Sequence, residues 1–230
     1  MYCLNTSSIT ASPCHLPKRG RLLHRKTIIY PFKEALPMIR PATEKDVPEI
    51  LAIYAPYVEN STATFEYDVP CRRCFLQRFL DITAQFPWLV WEEEGRILGY
   101  AYASAPYTRA AFSWCAEPSI YLRRSAQGRG IGRKLYTVLE EILAQQGYQV
   151  LYALITSENS ESLRFHKRMG YERKADFPDC GYKFNRWLGL IWMEKRLKIV
   201  HSPSGFPTPW KSIVQDAERF SNILDKLSLS

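Results

Sequence analysis

Ser119-Ile-Tyr-Leu-Arg-Arg-Ser-Ala-Gln127-Gly128-Arg129-Gly130-Ile131-Gly132-Arg133 is the stretch that decides the fold. A β-type run enters a turn with three alternating glycines, and a strong helical stripe follows at once: Ile131, Leu135, Val138, Leu139, Ile142 and Leu143. That spacing predicts a helix over Gly132 to Gln146, with Gly147 placed to end it. The first N–H groups of such a helix lack intrahelical partners, and its dipole adds partial positive charge there. Glycines let the backbone approach a phosphate without Cβ clashes, so the turn is a candidate pyrophosphate cradle. A dinucleotide fingerprint requires GxGxxG in a first βα turn of a parallel sheet, whereas this GxGxG lies mid-chain after hairpin strands. A Walker loop would end in GK[ST], and Gly132-Arg133-Lys134 does not. The alternative, a turn that merely packs tightly, is disfavoured by Arg129 and Arg133 among the glycines.

On the N-terminal side, Trp88-Leu-Val-Trp-Glu and Ile97-Leu-Gly-Tyr-Ala-Tyr-Ala flank a Glu94-Gly95 turn and read as a hairpin. A third strand covers roughly Trp114 to Leu122. Further back, Met38 to Thr43 reads as a short strand, and Thr43 caps a helix carrying Val47, Ile50, Leu51, Tyr54 and Val58. Pro48 is tolerated near that helix start. Ser61 to Asp68 reads as β-like, and Pro70 opens a second helix with Phe75, Phe79 and Ile82 on one face. Beyond the glycine turn and its helix, Val150–Ile155 reads as a buried strand. Asn159 or Ser160 caps a helix ending at Met169-Gly170, and Trp187 to Lys195 is the final strand. The expected architecture is a mixed α/β (α+β) sheet, antiparallel first and helix-connected later, flanked by helices. Pro203, Gly205, Pro207 and Pro209 then mark a linker. Trp210, Ile213, Val214, Ala217, Phe220, Ile223, Leu224 and Leu227 form the stripe of one C-terminal amphipathic helix, which packs on its own domain or on a partner subunit such as a second copy.

The net charge of +8 resides mostly in residues 1–37, where six basic side chains face the single acid Glu34. A basic tail on a near-neutral domain is no footprint for nucleic acid. The tail reads as a disordered extension, either a presequence of mitochondrial type or, as favoured here, an upstream extension without a role before Met38. The expected divisions are therefore 1–37, 38–197 and 198–230. No apolar run reaches the roughly 18–20 residues that cross a bilayer. Cys71-Arg-Arg-Cys74 fits CxxC, but no second Cys/His pair completes a metal site. Both cysteines are expected to be plain helix residues, with no metal bound, in a reducing and cytoplasmic compartment.

Gln127-x-x-Gly130-x-Gly132 resembles the Q/R-x-x-G-x-G/A signature of the GNAT superfamily of N-acetyltransferases. The resemblance extends to the phosphinothricin and methionine sulfoximine/sulfone acetyltransferase branch through Ser61-Thr-Ala-Thr-Phe-Glu-Tyr, Phe86-Pro-Trp-Leu-Val, Gly99-Tyr-Ala-Tyr-Ala, Arg109-Ala-Ala-Phe-Ser-Trp114, Asn159-Ser-Glu-Ser-Leu-Arg-Phe-His166 and Met169-Gly-Tyr171. It implies a GNAT-like, centrally splayed sheet and acetyl-CoA as co-substrate. It also implies that Ile120, Tyr121 and Leu122 present backbone to the pantetheine arm. Gln127, Gly128, Arg129, Gly130, Ile131, Gly132 and Arg133 would cradle the pyrophosphate, with Asn159 and Arg168 touching the cofactor from the next helix.

Glu117 and His166 are the acid–base candidates, since acetylating an amine requires a base for its proton and an acid for the departing thiolate. Arg109 offers a planar fork for a carboxylate or phosphinate, and Phe65, Phe112 and Trp114 are candidate pocket walls. The expected reaction is direct transfer of acetyl to the amine of a small amino-acid-like compound. Herbicide-active members of the branch carry an Arg-containing stretch where this chain has Phe65-Glu66-Tyr67-Asp68, so Glu66 and Asp68 leave a cationic acceptor, a polyamine or a protein amine, as the alternative. A module that binds acetyl-CoA without turnover is the rival outside enzymes.

Overall fold

The computed structural model describes residues 38–197 and 205–225. The expectations for residues 1–37, for Pro203 and for Leu227 lie outside them. The described chain runs β1 (Met38–Pro41), α1 (Val47–Asn60), α2 (Arg72–Thr83), β2 (Trp88–Glu93), β3 (Arg96–Ser104), β4 (Cys115–Leu122), α3 (Ile131–Gln146), β5 (Val150–Thr156), α4 (Ser160–Arg168), β6 (Glu172–Lys183), β7 (Arg186–Arg196), α5 (Lys211–Val214) and α6 (Ala217–Asp225). The strands form one seven-stranded sheet in the order β1-β2-β3-β4-β5-β7-β6. Every neighbouring pair is antiparallel except β4–β5. This is the mixed sheet flanked by helices that the sequence implied.

Strand alternation explains the layers. Along β2, Trp88 and Val90 enter one buried cluster with Val47, Ile50 and Val58 of α1 and Phe75 and Phe79 of α2. Leu89 and Trp91 point the other way, into a second cluster with Leu135, Val138, Leu139 and Ile142 of α3. Successive strand side chains face opposite sides of a sheet, so an apolar run of this kind is buried on both. The β2–β3 hairpin closes through Glu94 (φ 52°) and Gly95 (φ 73°), two left-handed residues of the type that matches strand twist.

The central feature is a parting. β4 and β5 share only the register pairs Cys115↔Val150 and Ala116↔Leu151. β4 then continues along β3 as far as the Leu122 pair with Gly99, and β5 continues along β7 to the Thr156 pair with Leu190. From Glu117 onward one edge of β4 faces a gap rather than a strand.

Five local expectations need correction. Ser61–Asp68 is not a strand; its residues form bends between α1 and α2. The second helix begins at Arg72, not at Pro70, with Cys71 as its N-cap. Cys71 and Cys74 are joined in a disulfide across that first turn; the N-cap and the third helical residue adjoin, and the Cys71 sulfur also accepts from the Cys74 N–H at 3.1 Å. They are therefore not two plain helix residues. The polar stretch Glu172–Lys183 was not anticipated as a strand, yet it pairs with β7 as an edge. The C-terminal stripe is two short helices, broken at Gln215–Asp216, where the Asp216 carboxylate accepts from the Arg219 N–H at 3.0 Å and caps α6.

That C-terminal segment packs on its own domain. Trp210, Ile213 and Ile223 are buried in the α3 cluster, and the Trp210 indole N–H donates to the Thr83 carbonyl at 3.0 Å. Trp210→Ala removes a large buried side chain and leaves that carbonyl unpartnered. We expect it to cost about 3–5 kcal/mol in a urea melt; a midpoint equal to wild type would show the segment to be dispensable for the fold.

Candidate active site

The parting between β4 and β5 opens into a cleft of about 510 Å³ lined by Glu117–Leu122 on one wall, Ala153–Ile155 on the other, Gln127, Gly128 and Gly132 at one end, and α4 from Asn159 to Arg168. Backbone direction alternates along β4. The Arg123 N–H donates back to Leu98 of β3, so Pro118, Ile120 and Leu122 turn their amide groups toward the gap. Pro118 has no N–H to leave unpaired on that edge. Its carbonyl accepts from the Tyr136 hydroxyl at 2.9 Å. The Tyr57 hydroxyl donates to the Leu122 carbonyl at 2.6 Å and accepts from the Leu122 N–H at 3.3 Å.

This geometry sorts the three residues expected to offer backbone to a cofactor arm. Ile120 does so. Leu122 has both groups engaged by Tyr57. Tyr121 turns its backbone into β3, and its ring lies 5.0 Å from Tyr54, 5.1 Å from Tyr57 and 5.4 Å from Tyr100.

At the cradle, Gly128 (φ 76°) and Gly130 (φ 77°) are left-handed, and nothing lies within 4 Å of where a Cβ would stand. Gly130 caps α3. The open backbone ahead of a helix N-terminus fits an anionic phosphate. Ile131 is buried beneath it and anchors the turn. Arg129 is turned onto Glu93, 2.8 Å away, and Arg133 is exposed on the first turn of α3. Asn159 caps α4 through its Oδ1, which accepts from the Ser162 N–H at 3.1 Å. Arg168 is exposed at the end of that helix and lines the cleft.

Glu117 and His166 both line the cleft. No hydrogen bond or ion pair among the described residues holds the Glu117 carboxylate, and burial pushes its pKa above the usual carboxylate range. His166 is 4% exposed, and burial pushes its pKa down to about 4. Its Nδ1 is 2.8 Å from the Ser162 carbonyl, which only accepts, so Nδ1 carries the proton. Nε2 then presents a lone pair 2.9 Å from the Tyr136 hydroxyl. Both ring nitrogens are thereby occupied, and one Tyr136 proton serves two acceptors, His166 Nε2 and the Pro118 carbonyl. Tyr136, next to Leu135 of the α3 stripe, was not among the residues singled out from the sequence.

The four candidate acceptor residues are not brought into the cleft. Trp114 donates its indole N–H to Gly205 at 2.9 Å and stacks on Phe206 at 5.4 Å. Phe112 stacks on Tyr107 at 4.3 Å and is exposed. Phe65 packs over Gly181 of β6, where a Cβ would stand 2.6 Å from its ring. Arg109 is exposed on the β3–β4 loop with no partner among the described residues, rather than enclosed by aromatics. Glu66 pairs with Arg78 at 2.7 Å.

The family described as Acetyltransferase (GNAT) domain matches residues 39–192. The chain belongs to the GNAT acetyltransferase family. It is 33% identical over 165 residues to a phosphinothricin N-acetyltransferase of Streptomyces viridochromogenes, covering 72% of this chain and 90% of that protein. It is 36% identical over 167 residues to an L-methionine sulfoximine/L-methionine sulfone acetyltransferase of Pseudomonas paraeruginosa, covering 71% and 96%. Among solved structures, a phosphinothricin acetyltransferase of Sinorhizobium meliloti in complex with acetyl-CoA matches with TM-score 0.69 at 32% identity, covering 75% of this chain and 93% of that one. Among the described residues there is no cluster that could hold a metal and no helix long and apolar enough to cross a membrane.

His166 ties folding to pH. Its pKa is depressed in the folded state, so its contribution is intact above the unfolded value near 6.5 and is lost as pH falls toward about 4. That difference corresponds to about 3 kcal/mol. We expect a His166→Gln variant to lose that part of the slope between pH 6.5 and 4 in denaturant titrations. A slope unchanged from wild type would mean that the histidine titrates normally.

Proposed function

We propose that the chain transfers an acetyl group from acetyl-CoA directly to the amine of a small amino-acid-like acceptor, in the cytoplasm, with Glu117 as the base. The carrying observation is the position of Glu117: an unpaired, partly buried carboxylate at the first residue where β4 leaves β5, on the wall of the cleft that begins at the glycine turn. A raised pKa brings a carboxylate closer to the pH at which it must act, and so makes it the better base.

Acetyl-CoA, when bound, supplies a thioester carbonyl for the amine and a thiol as leaving group. The N-terminal backbone of α3, from Gly128 to Gly132, holds its pyrophosphate, with Arg168 at the rim. The Ile120 N–H and C=O hold the amide arm along the open edge of β4. Glu117 takes a proton from the amine and keeps it until the leaving thiolate can receive it. His166 works through Tyr136, fixing the hydroxyl that steadies the Pro118 carbonyl beside Glu117, and so acts as a positioning residue. Among the described residues no cysteine lines the cleft, in keeping with direct transfer.

For the acceptor, the similar proteins are named for phosphinothricin and for methionine sulfoximine and sulfone. Pairing with Arg78 removes Glu66 as a free anion, which weighs against a polyamine.

Thiol release with acetyl-CoA and a panel of amino acids, their sulfone and sulfoximine analogues and polyamines tests the acceptor class. Turnover confined to polyamines would overturn it. Glu117→Gln should retain acetyl-CoA affinity while kcat falls by roughly 10²–10⁴. In wild type the rate should fall as pH drops through the raised Glu117 pKa, and a few-fold effect at all pH values would remove Glu117 as base. Gly130→Val places a β-branched residue at φ 77° and a Cβ in the cradle. It should abolish acetyl-CoA binding by calorimetry, and wild-type affinity in a folded variant would sink the cradle.

A further inference from the structure

The bridge between Cys71 and Cys74 has no part in the cleft, which neither cysteine lines. Nor does it join one element to another. It closes four residues within the first turn of α2, so it ties a helix to itself, and a loop this short constrains the unfolded chain least. The same turn is already held from below. Phe75, the next residue, is 2% exposed and its ring lies 5.8 Å from that of Tyr54 and 6.1 Å from that of Trp88. Cys71, Arg72, Arg73 and Cys74 are all exposed to solvent.

The surroundings of the pair favour a thiolate. Cys71 is the N-cap of a twelve-residue helix, and its sulfur accepts from the Cys74 N–H at 3.1 Å. The free N–H groups and dipole of a helix start stabilise negative charge on such a sulfur, and so do neighbouring arginines. Arg72 and Arg73 stand between the two cysteines, neither is in an ion pair among the described residues, and the first turn carries no acid. Of the carboxylates on adjoining segments, Asp46 is held by Arg40 and Glu66 by Arg78, while Glu44 and Asp68 are exposed. With the bond open, the Cys71 sulfur keeps its place as N-cap acceptor and Phe75 keeps its seat, so one helix accommodates both redox states. A metal fits less well, because the two sulfurs have no third ligand among the described residues.

We propose that Cys71-Arg-Arg-Cys74 is a thiol–disulfide exchange site for a dithiol/disulfide partner, with Cys71 as the exchanging sulfur. In the reducing direction a thiolate of the partner attacks the Cys71 sulfur. The Cys71–Cys74 bond breaks, and Cys74 departs with the electron pair and takes up a proton. The partner's second thiol then loses its proton, attacks the partner sulfur of the mixed disulfide and expels Cys71 as a thiolate. Two electrons have passed to the chain and the partner has become a disulfide; the reverse sequence oxidises the pair. Cys71 leaves readily in the second step because its thiolate is the stabilised one. This assignment is independent of acetyl transfer and of the acceptor.

The full chain tests this with dithiothreitol and its cyclic disulfide as the partner couple, and acid quenching, alkylation and peptide mass read the state of the pair. We expect the pair to open and close again in the folded protein as the ratio of the couple is varied. Cys180, an exposed free cysteine of the same chain, is the internal reference for reactivity. In the reduced protein the pH midpoint of Cys71 alkylation should lie about one unit or more below that of Cys180. With oxidised glutathione, Cys74→Ser should trap a mixed disulfide on Cys71 about threefold or more faster than Cys71→Ser traps one on Cys74. Serine at position 71 keeps an N-cap oxygen, so the helix start survives the change, and the two wild-type readouts carry the test if either variant does not fold. A bond that opens only in urea would make the bridge a structural staple and overturn the proposal. Thiols that do not close again, a Cys71 midpoint equal to that of Cys180, or equal trapping rates would each overturn it as well.

Discussion

Two parallel strands that separate after two residue pairs impose the condition on which the rest of this structure depends. β4 runs on for six residues past Ala116 with one edge unpaired, and buried backbone groups left without partners are costly. The chain meets that cost in three ways. Proline at 118 removes one donor outright. Tyr136 and Tyr57 bring hydroxyls from helices on opposite faces of the sheet to the carbonyls of Pro118 and Leu122. Between them Ile120 is left, and a ligand with an amide arm can complete it. The cleft is thus a break in a hydrogen-bond ladder whose ends are sealed by tyrosines.

A break of this kind needs something to stop the two halves from drifting. α3 does part of the work from below, with Leu135, Leu139 and Ile142 packed in one cluster with Leu89 of β2 and Ile191 and Met193 of β7. Above, the 61–66 loop and the β6–β7 hairpin meet through polar contacts. The two attachments differ in kind. Apolar attraction under the sheet is non-directional, whereas the three carbonyls of Val58, Ser61 and Thr64 around the Lys183 ammonium define a direction as well as a distance. That contrast explains why a charged side chain is buried where a leucine would satisfy the core.

Much of this was legible in the sequence where periodicity or backbone chemistry dictates structure. The α3 stripe, the hairpin of β2 and β3 with its turn at Glu94-Gly95, and the glycine-rich turn ahead of α3 follow from spacing and residue type. The failures share a cause. β6 is an exposed edge with a register shift between Phe177 and Gly181, so it shows neither alternation nor an apolar run. Ser61–Asp68 carries strand-forming residues, but its carbonyls are taken by Lys183 and Thr156 instead of by a neighbouring strand. The aromatics Phe65, Phe112 and Trp114 lie close to Glu117 or to the loop in sequence, yet each finds a partner elsewhere, Trp114 on a segment more than 90 residues away. Tyr136 sits in a helical stripe, and nothing in the sequence distinguishes a core tyrosine from one whose hydroxyl completes a strand edge.

The electrostatics of the cleft follow from the same break. Elsewhere this chain settles its carboxylates with cations: Arg40 holds Asp46 below the usual carboxylate range with help from the Thr43 backbone, and Arg186 does the same for Glu158. Glu117 has no such partner, and burial is the one cause of its shift. Burial also acts on His166, in the opposite direction. One desolvated wall therefore drives an acid up and a base down, and both toward neutrality. An arginine beside Glu117 would stabilise the fold more, but it would hold the carboxylate ionised and weaken it as a base. In the proposed role of Glu117 as base, leaving it unpaired trades stability for basicity. Glu117 can stand unpaired because β4 has already left its neighbour there and the carboxylate borders the cleft, where its charge is not sealed in the core.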